Sequence, residues 1–389
     1  CPRFERPALL GGASTAASSS SAMKAVILVG GFSTQLRPLT LTLPLPLLEF
    51  CNETLLSHQL RALKDAGMSE VILCYHEHMV PKSWDAAIRE LQDELGISIT
   101  CSHEEQAMGT AGAIKTAEDL ITDYGKNSNP FIVVNADVLC SYPLKDLLRA
   151  HVKHGRQGTL LTTRTEQPSH YGVIVSDERT GRVLHFVEKP ETFVSDSINA
   201  GVYVFSPSVF ARIPAGRPVS MNEVLPTMAH EEQLHSMLLT GYWIKLTTTS
   251  SFMEAVSAHL DISRFLSPST LASSSNDVTI KGNVMVHPSA KIGRGCILGP
   301  SAVVGANCVL EDGVRLEAST LMEGARIQSH SLIKDSLVGW SAVIGRWCFV
   351  TSSILGERVN VEDTLLINSA IVLPHKNLDV NIRKAEIVI

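Results

Sequence analysis

The sequence predicts two domains: an α/β domain on a mainly parallel sheet, and behind it a parallel β-helix. From Met23 to about Phe265, short apolar runs alternate with helical patterns, as in a parallel sheet covered on both faces. Beyond a serine-rich break, apolar-glycine pairs recur every six residues, the mark of stacked coils that bury a shared core. A chain of 389 residues has room for both.

Taken in order, the first 22 residues, "CPRFERPALLGGASTAASSSSA", are small and Ser/Ala-rich and lack the apolar stretch of a secretory signal. They read as a flexible or artefactual extension, with an organellar transit remnant as the alternative. The α/β domain is expected over 23–265. "KAVILVGG" is a buried-strand run ending in two glycines, "LLSHQLRALKDAGM" has helical spacing with a glycine stop, and "EVILCY" is a second strand. "AAIRELQDELG" is again helical, "FIVVNADV" a strand, and "LKDLLRAHVKHG" a helix. Ligands of such sheets bind beyond the carboxyl ends of the strands. The loop after "AVILVGG" and Asp137 after "FIVVNA" both fall on that edge.

A linker is expected over 266–280, where "SPSTLASSSND" breaks the pattern. The β-helix then spans 281–389. Its pairs are Ile292-Gly293, Leu298-Gly299 and Val304-Gly305, with small residues two positions before them at Ala290, Cys296 and Ala302 and the series continuing at Cys308. The frame runs on through Leu310 and Leu316, and the pair returns at Val338-Gly339 and Ile344-Gly345.

Composition narrows the function. With 44% hydrophobic and 19% charged residues, no run approaches the ~20 apolar residues that cross a bilayer. A net charge of −6 gives no bulk attraction to nucleic acid or anionic membranes, so a phosphate-bearing ligand needs a local site. Eight cysteines without a CxxC read as free, mostly buried thiols in a reducing cytosol. His76 and His78 can share one face of an extended segment, and His151 and His154 one face of a helix. Neither pair has a third ligand nearby, and neither is assigned a metal.

The motifs "LVGGFSTQLRPLT", "MGTAG" (108–112), "VNADV" (134–138), "PSHYGVIV" (168–175), "FVEKP" (186–190), "INAGVYV" (198–204) and the hexad domain ending in "VLPHK" are those of a known enzyme family. The chain past Met23 resembles the beta-type GDP-mannose pyrophosphorylases, the mannose-1-phosphate guanylyltransferases. The resemblance implies a Rossmann-like nucleotidyltransferase domain followed by a left-handed parallel β-helix. It implies that mannose 1-phosphate attacks the α-phosphorus of GTP, with Mg²⁺, to give GDP-mannose and pyrophosphate. It places Gly30, Gly31, Thr34 and Gly109 at the nucleotide, with Arg37 as the remaining catalytic cation. Gly172, Glu188, Lys189 and Asn199 fall at the sugar phosphate, and Asp137 at the metal.

Several positions depart from the family pattern. The loop's second glycine is Ser33, its first arginine is Gln35, and the lysine of a PKP motif is Leu45. The second metal-binding aspartate is Lys245, in "YWIKLT", and a phosphate-site lysine appears as Asn222. Gln cannot reproduce the fixed charge and forked donors of arginine. One lost charge contact at a transition state costs roughly 10²–10³ in rate, and an arginine there is worth ~10³–10⁵. Two cations and a metal carboxylate missing together imply a loss of at least ~10⁴. Lys245 is expected to lie near Asp137 and pair with it.

The expected function is therefore an impaired or inactive family member. It would be a regulatory or structural subunit, self-associated or joined to an active pyrophosphorylase subunit, with no nucleic-acid or membrane partner. The alternative is a working enzyme that relies on Arg37, Lys189 and Asp137. A third reading makes the β-helix an acyltransferase with His330 or His375 as base, although nothing beside either suggests an acyl-carrier site.

Overall fold

The computed structural model describes residues 23–30, 34–76 and 80–389. The N-terminal extension, Gly31, Ser33 and His78 lie outside the described residues, as does the side chain of Gln35. The chain begins with β1 (Lys24–Val29), a hairpin of β2 (Glu49–Phe50) and β3 (Glu53–Thr54), α1 (Leu55–Asp65) and β4 (Glu70–His76). It continues through α2 (Trp84–Leu95), β5 (Ser98–Glu104), α3 (Gly109–Thr116), α4 (Glu118–Thr122), β6 (Phe131–Asn135), β7 (Val138–Cys140) and α5 (Leu144–His154). Strands β8 (Gly158–Arg164), β9 (Gly172–Ser176), β10 (Val183–Glu188) and β11 (Ser197–Phe205) follow. The domain closes with α6 (Met221–His230), β12 (Leu234–Leu238), β13 (Trp243–Lys245) and α7 (Thr249–Leu266).

All six residues of β1 are buried, because the strand is covered on both faces and paired on both edges. It runs parallel to β4 on one side and β6 on the other, and β5 extends the sheet beyond β4. Beyond β6 the sheet turns antiparallel through β11, which carries β8 and β9. That half was not legible as strand–helix alternation, since no α-helix separates β8, β9, β10 and β11, of which β9 and β10 form a hairpin. Gly67, read as a helix stop, lies just past α1 with φ +91°, and Gly96 and Gly155 end α2 and α5 in the left-handed conformation that glycine adopts without steric cost. Among the described residues, the cysteines other than Cys1 are unpaired, and all but Cys101 are buried. No described helix is long and apolar enough to cross a membrane.

Three parallel sheets make up the C-terminal domain, and the apolar residues of the hexads point inward from each. Val304, Leu310 and Leu316 lie in one buried cluster with Leu321, Ile327 and Ile333 of the next coil. This is the expected β-helix, but its period is not six throughout. Ile297 lies against Arg315, eighteen residues on, whereas Val303 lies against Thr320, seventeen on, so one corner of each later coil is a residue shorter. That is why the apolar-glycine frame slips before Val338. Serine fills the tightened corner. Ser319, Ser336 and Ser353 are all buried. The hydroxyl of Ser336 donates to the Lys334 carbonyl at 2.6 Å and accepts from the Ser353 N–H at 3.1 Å. The Ser319 hydroxyl likewise accepts the Ser336 N–H at 3.0 Å.

The domains meet over the segment between β1 and α1. Leu36, Leu39, Leu45, Leu48 and Phe50 pack with Phe252 of α7 and with Met285, Val303, Met322 and Leu337 of the β-helix. Glu49 is the polar pin of this contact: its carboxylate accepts from Trp340 Nε1 at 2.9 Å and from the Glu323 N–H at 3.2 Å. Burial raises its carboxyl above the usual range, against the opposing effect of those bonds. Beside it, the rings of His58 and His259 meet edge to face. Burial pushes His259 down to about 4 and lowers His58 as well.

Ser336→Ala is expected to lower the unfolding free energy by about 1–3 kcal/mol, because it leaves a buried N–H without an acceptor; urea denaturation measures it. The histidines set an acid limit. Their folded pKa values lie below the unfolded value of about 6.5, so stability is full above that pH. It is lost as pH falls toward about 4, where the His259 ring protonates. Melting temperature against pH should show the decline, and His259→Phe should make it shallower.

Candidate functional site

A cavity of about 300 Å³ opens at the carboxyl ends of the parallel strands. Among the described residues it is lined by Val29 and Gly30 after β1, Cys74 and His76 of β4, Glu104 of β5, Gly109 and Thr110 of α3, Asn135 of β6, and Asp137 and Lys245. Gly30, at the start of the loop after β1, and Asp137 thus share one cavity.

The two glycines serve it differently. Among the described residues, nothing lies within 4 Å of where a Gly30 Cβ would stand, so they leave its backbone open to close approach. At Gly109 the backbone is left-handed, φ +73°, and a Cβ would come within 2.7 Å of the Val219 carbonyl. That carbonyl accepts the N–H groups of Ala111 and Gly112 at 3.0 and 3.1 Å. The first turn of α3 is therefore closed by protein. Glu104, which the sequence reading missed, accepts the Met108 N–H at 2.8 Å, and burial raises its carboxyl above the usual range. Its place at the end of β5 was the available signal.

Lys245 does stand beside Asp137. Strand β7, which follows Asp137, pairs antiparallel with β13, placing Lys245 opposite Val138. The Leu246 N–H donates to the Asp137 carbonyl at 2.7 Å. Lys245 Nζ then lies 3.4 Å from Asp137 Oδ2, with side chains 34% and 28% exposed. An ion pair this accessible contributes only about 0–1 kcal/mol to stability. Its importance is positional.

Magnesium takes octahedral oxygen ligands, usually one or two carboxylates besides phosphate and water. Here the carboxylate already faces an ammonium, and the described residues hold no group of three or more His, Cys, Asp or Glu suited to a metal. A divalent ion ~4 Å from Nζ would meet a repulsion of about 8 kcal/mol at an effective dielectric of 20. The residues present do not fit Mg²⁺.

The other charged positions lie elsewhere. Leu45, only 5% exposed, belongs to the interdomain cluster and does not line the cavity. Thr34 and Arg37 are exposed on a turn closed by an Arg37 N–H bond to the Thr34 carbonyl at 3.3 Å. Gln35 lies in the same turn by its backbone. Asn222 is exposed near the start of α6.

The four residues matched to the sugar phosphate come together. Gly172 pairs with Glu188, and Val173 with Ile198, which brings Asn199 alongside Gly172. A Cβ on Gly172 would press on the Phe186 ring at 2.7 Å. Lys189 is exposed and donates its N–H to the Tyr171 carbonyl at 3.0 Å. Asn199 donates to the Tyr203 hydroxyl at 2.8 Å and accepts from the Gly201 N–H at 3.0 Å. Trp243, two residues before Lys245, joins this group to the cavity rim. Its Nε1 donates to the Ala200 carbonyl at 2.8 Å, and its ring packs on Tyr171.

The remaining histidines have structural surroundings. His151 and His154 both bond the Thr159 hydroxyl, at 2.8 and 2.7 Å. His330 stacks on Trp347, and His375 donates its N–H to the Glu357 carbonyl in a coil corner.

Comparison with known proteins agrees with this architecture. Residues 24–262 match the nucleotidyl transferase family, and 280–388 match the GMPPB C-terminal domain. The chain is 45% identical over 370 residues to the mannose-1-phosphate guanylyltransferase catalytic subunit beta of Danio rerio, covering 94% of this chain and 100% of that protein. It is 42% identical over 368 residues to mannose-1-phosphate guanylyltransferase 1 of Arabidopsis thaliana, with the same coverage. Among solved structures, one described as a glucose-1-phosphate thymidylyltransferase from Bacillus anthracis shares the fold, with TM-score 0.54 and 20% identity over 60% of this chain and 94% of that one. The first domain is thus of the nucleotidyl transferase class. With relatives matched from end to end, the chain belongs to the beta-type mannose-1-phosphate guanylyltransferase family of GDP-mannose synthesis.

The glycines make a paired prediction. Gly109→Ala should cost at least about 1–2 kcal/mol in urea denaturation from its left-handed backbone alone. Gly30→Ala, facing open space, should stay within about 0.5 kcal/mol of the native chain.

Proposed function

We propose that this chain is a family member with impaired catalysis, which keeps a pocket for a nucleotide sugar and serves as a regulatory or structural subunit. The observation that carries the reading is the Lys245 ammonium 3.4 Å from the Asp137 carboxylate. Phosphoryl transfer depends on in-line positioning and on charge arranged around the phosphates. Here the one carboxylate matched to a metal is paired with a lysine. The position matched to a phosphate lysine is a leucine buried between the domains.

The ligands that fit the family are GTP or GDP-mannose and mannose 1-phosphate, and Mg²⁺ enters only if turnover survives. A cytoplasmic oligomer, of this chain alone or with an active pyrophosphorylase subunit, is the setting we assign to it. The intact β-helix and the order kept at Gly172, Glu188 and Asn199 support retained binding rather than general decay.

Pyrophosphate release from GTP and mannose 1-phosphate with Mg²⁺ tests the proposal. The native chain should fall at least ~10⁴-fold below a pyrophosphorylase turning over at on the order of 1–10 per second. Turnover in that ordinary range would refute it. Gln35→Arg with Lys245→Asp should regain activity. Adding Leu45→Lys should lower the melting temperature, because it places an ammonium in an apolar cluster.

A further inference from the structure

We infer that Lys245 acts as a tethered cation, so that the cavity takes a sugar-capped nucleoside diphosphate without a divalent metal. This rests on the reading that the chain keeps its pocket while its catalysis is impaired.

Lys245 is held at this place by the fold. The β7–β13 ladder fixes its backbone opposite Val138, and the next residue's N–H is bonded to the Asp137 carbonyl at 2.7 Å. Side chains alternate along a strand. Ile244 points into the interdomain cluster, so Trp243 and Lys245 share the opposite face. That face looks on the cavity: Lys245 lines it, and Trp243 bonds the Ala200 carbonyl beside Asn199.

The charge arrangement supports a ligand rather than a closed structural pair. An ammonium carries three donors. Asp137 Oδ2 approaches it at 3.4 Å while a third of the lysine side chain stays exposed, 34%. Donors therefore face the cavity, where Gly30 leaves its backbone open. A phosphate oxygen placed there gains a charge-assisted hydrogen bond at the position where a metal would otherwise bridge to Asp137. The same ammonium repels a divalent ion, so the two cations exclude each other. A sugar-capped diphosphate carries less negative charge than a triphosphate, and a single ammonium matches it better.

Calorimetry on the full chain with GDP-mannose as probe, in EDTA and in excess MgCl₂, tests this. The expected result is a Kd that agrees within about 3-fold between the two buffers. In EDTA, Lys245→Met should weaken binding by at least ~10-fold, while Lys245→Arg retains it. Lys245→Asp should bind only when Mg²⁺ is present. Three outcomes would overturn the inference: native binding that requires Mg²⁺, Lys245→Met binding as tightly as the native chain, or no binding in either buffer. The native comparison needs no variant and does not depend on folding of a mutant. Pyrophosphate release measured on the same samples separates the two proposals. Rapid turnover overturns the functional reading, whereas Mg²⁺-dependent binding by a chain that does not turn over overturns only the tethered cation.

Discussion

The burial of β1 is the constraint from which the site follows. A strand covered on both faces and paired on both edges offers a ligand nothing along its length. Among the described residues, its accessible neighbours lie only beyond its ends, at Met23 and Gly30. Since β4, β5 and β6 run parallel to it, their ends arrive at the same edge. His76, Glu104 and Asn135 are gathered there from positions remote in the chain. The sheet's direction chooses the place, and the side chains at the strand ends choose the chemistry.

The second domain bears on that edge through the segment between β1 and α1. Its leucines and Phe50 are shared between α7 and four coils of the β-helix, and Glu49 adds a half-buried polar pin to Trp340. A segment packed on both sides in this way has little freedom to swing its side chains toward a ligand. Leu45 illustrates the consequence. Its apolar side chain is held in the domain contact.

At the cavity, one substitution changes the electrostatics while the backbone stays in register. The β7–β13 ladder would hold an aspartate at position 245 as readily as it holds a lysine, because the pairing uses main-chain groups alone. Lys245 thereby sets a built-in ammonium facing the Asp137 carboxylate. The grouping of Gly172, Glu188 and Asn199 is set by strand pairing elsewhere in the sheet. Shape and charge are thus separable here.

Much of this was legible from residues alone. The run "KAVILVGG", the glycine stops after helices and the apolar-glycine hexads reported local geometry, since buried strands, left-handed caps and coil corners each demand particular residues within a few positions. The motif matches also identified Asp137, Gly109 and Lys245 before their positions were known. The antiparallel half of the sheet escaped, because strands that follow one another without an intervening α-helix leave no alternation. Glu104 escaped because its significance lies in which strand ends beside it. The serine corner escaped because Ser319, Ser336 and Ser353 are seventeen residues apart in the chain yet adjacent in the stack. By itself the sequence determined the two-part fold and the family, both of which are properties of residue type and near-neighbour spacing. Only the tertiary structure decided that Leu45 faces the interdomain core and that Lys245 meets Asp137. Both depend on which distant segments pack together, and no local periodicity encodes that.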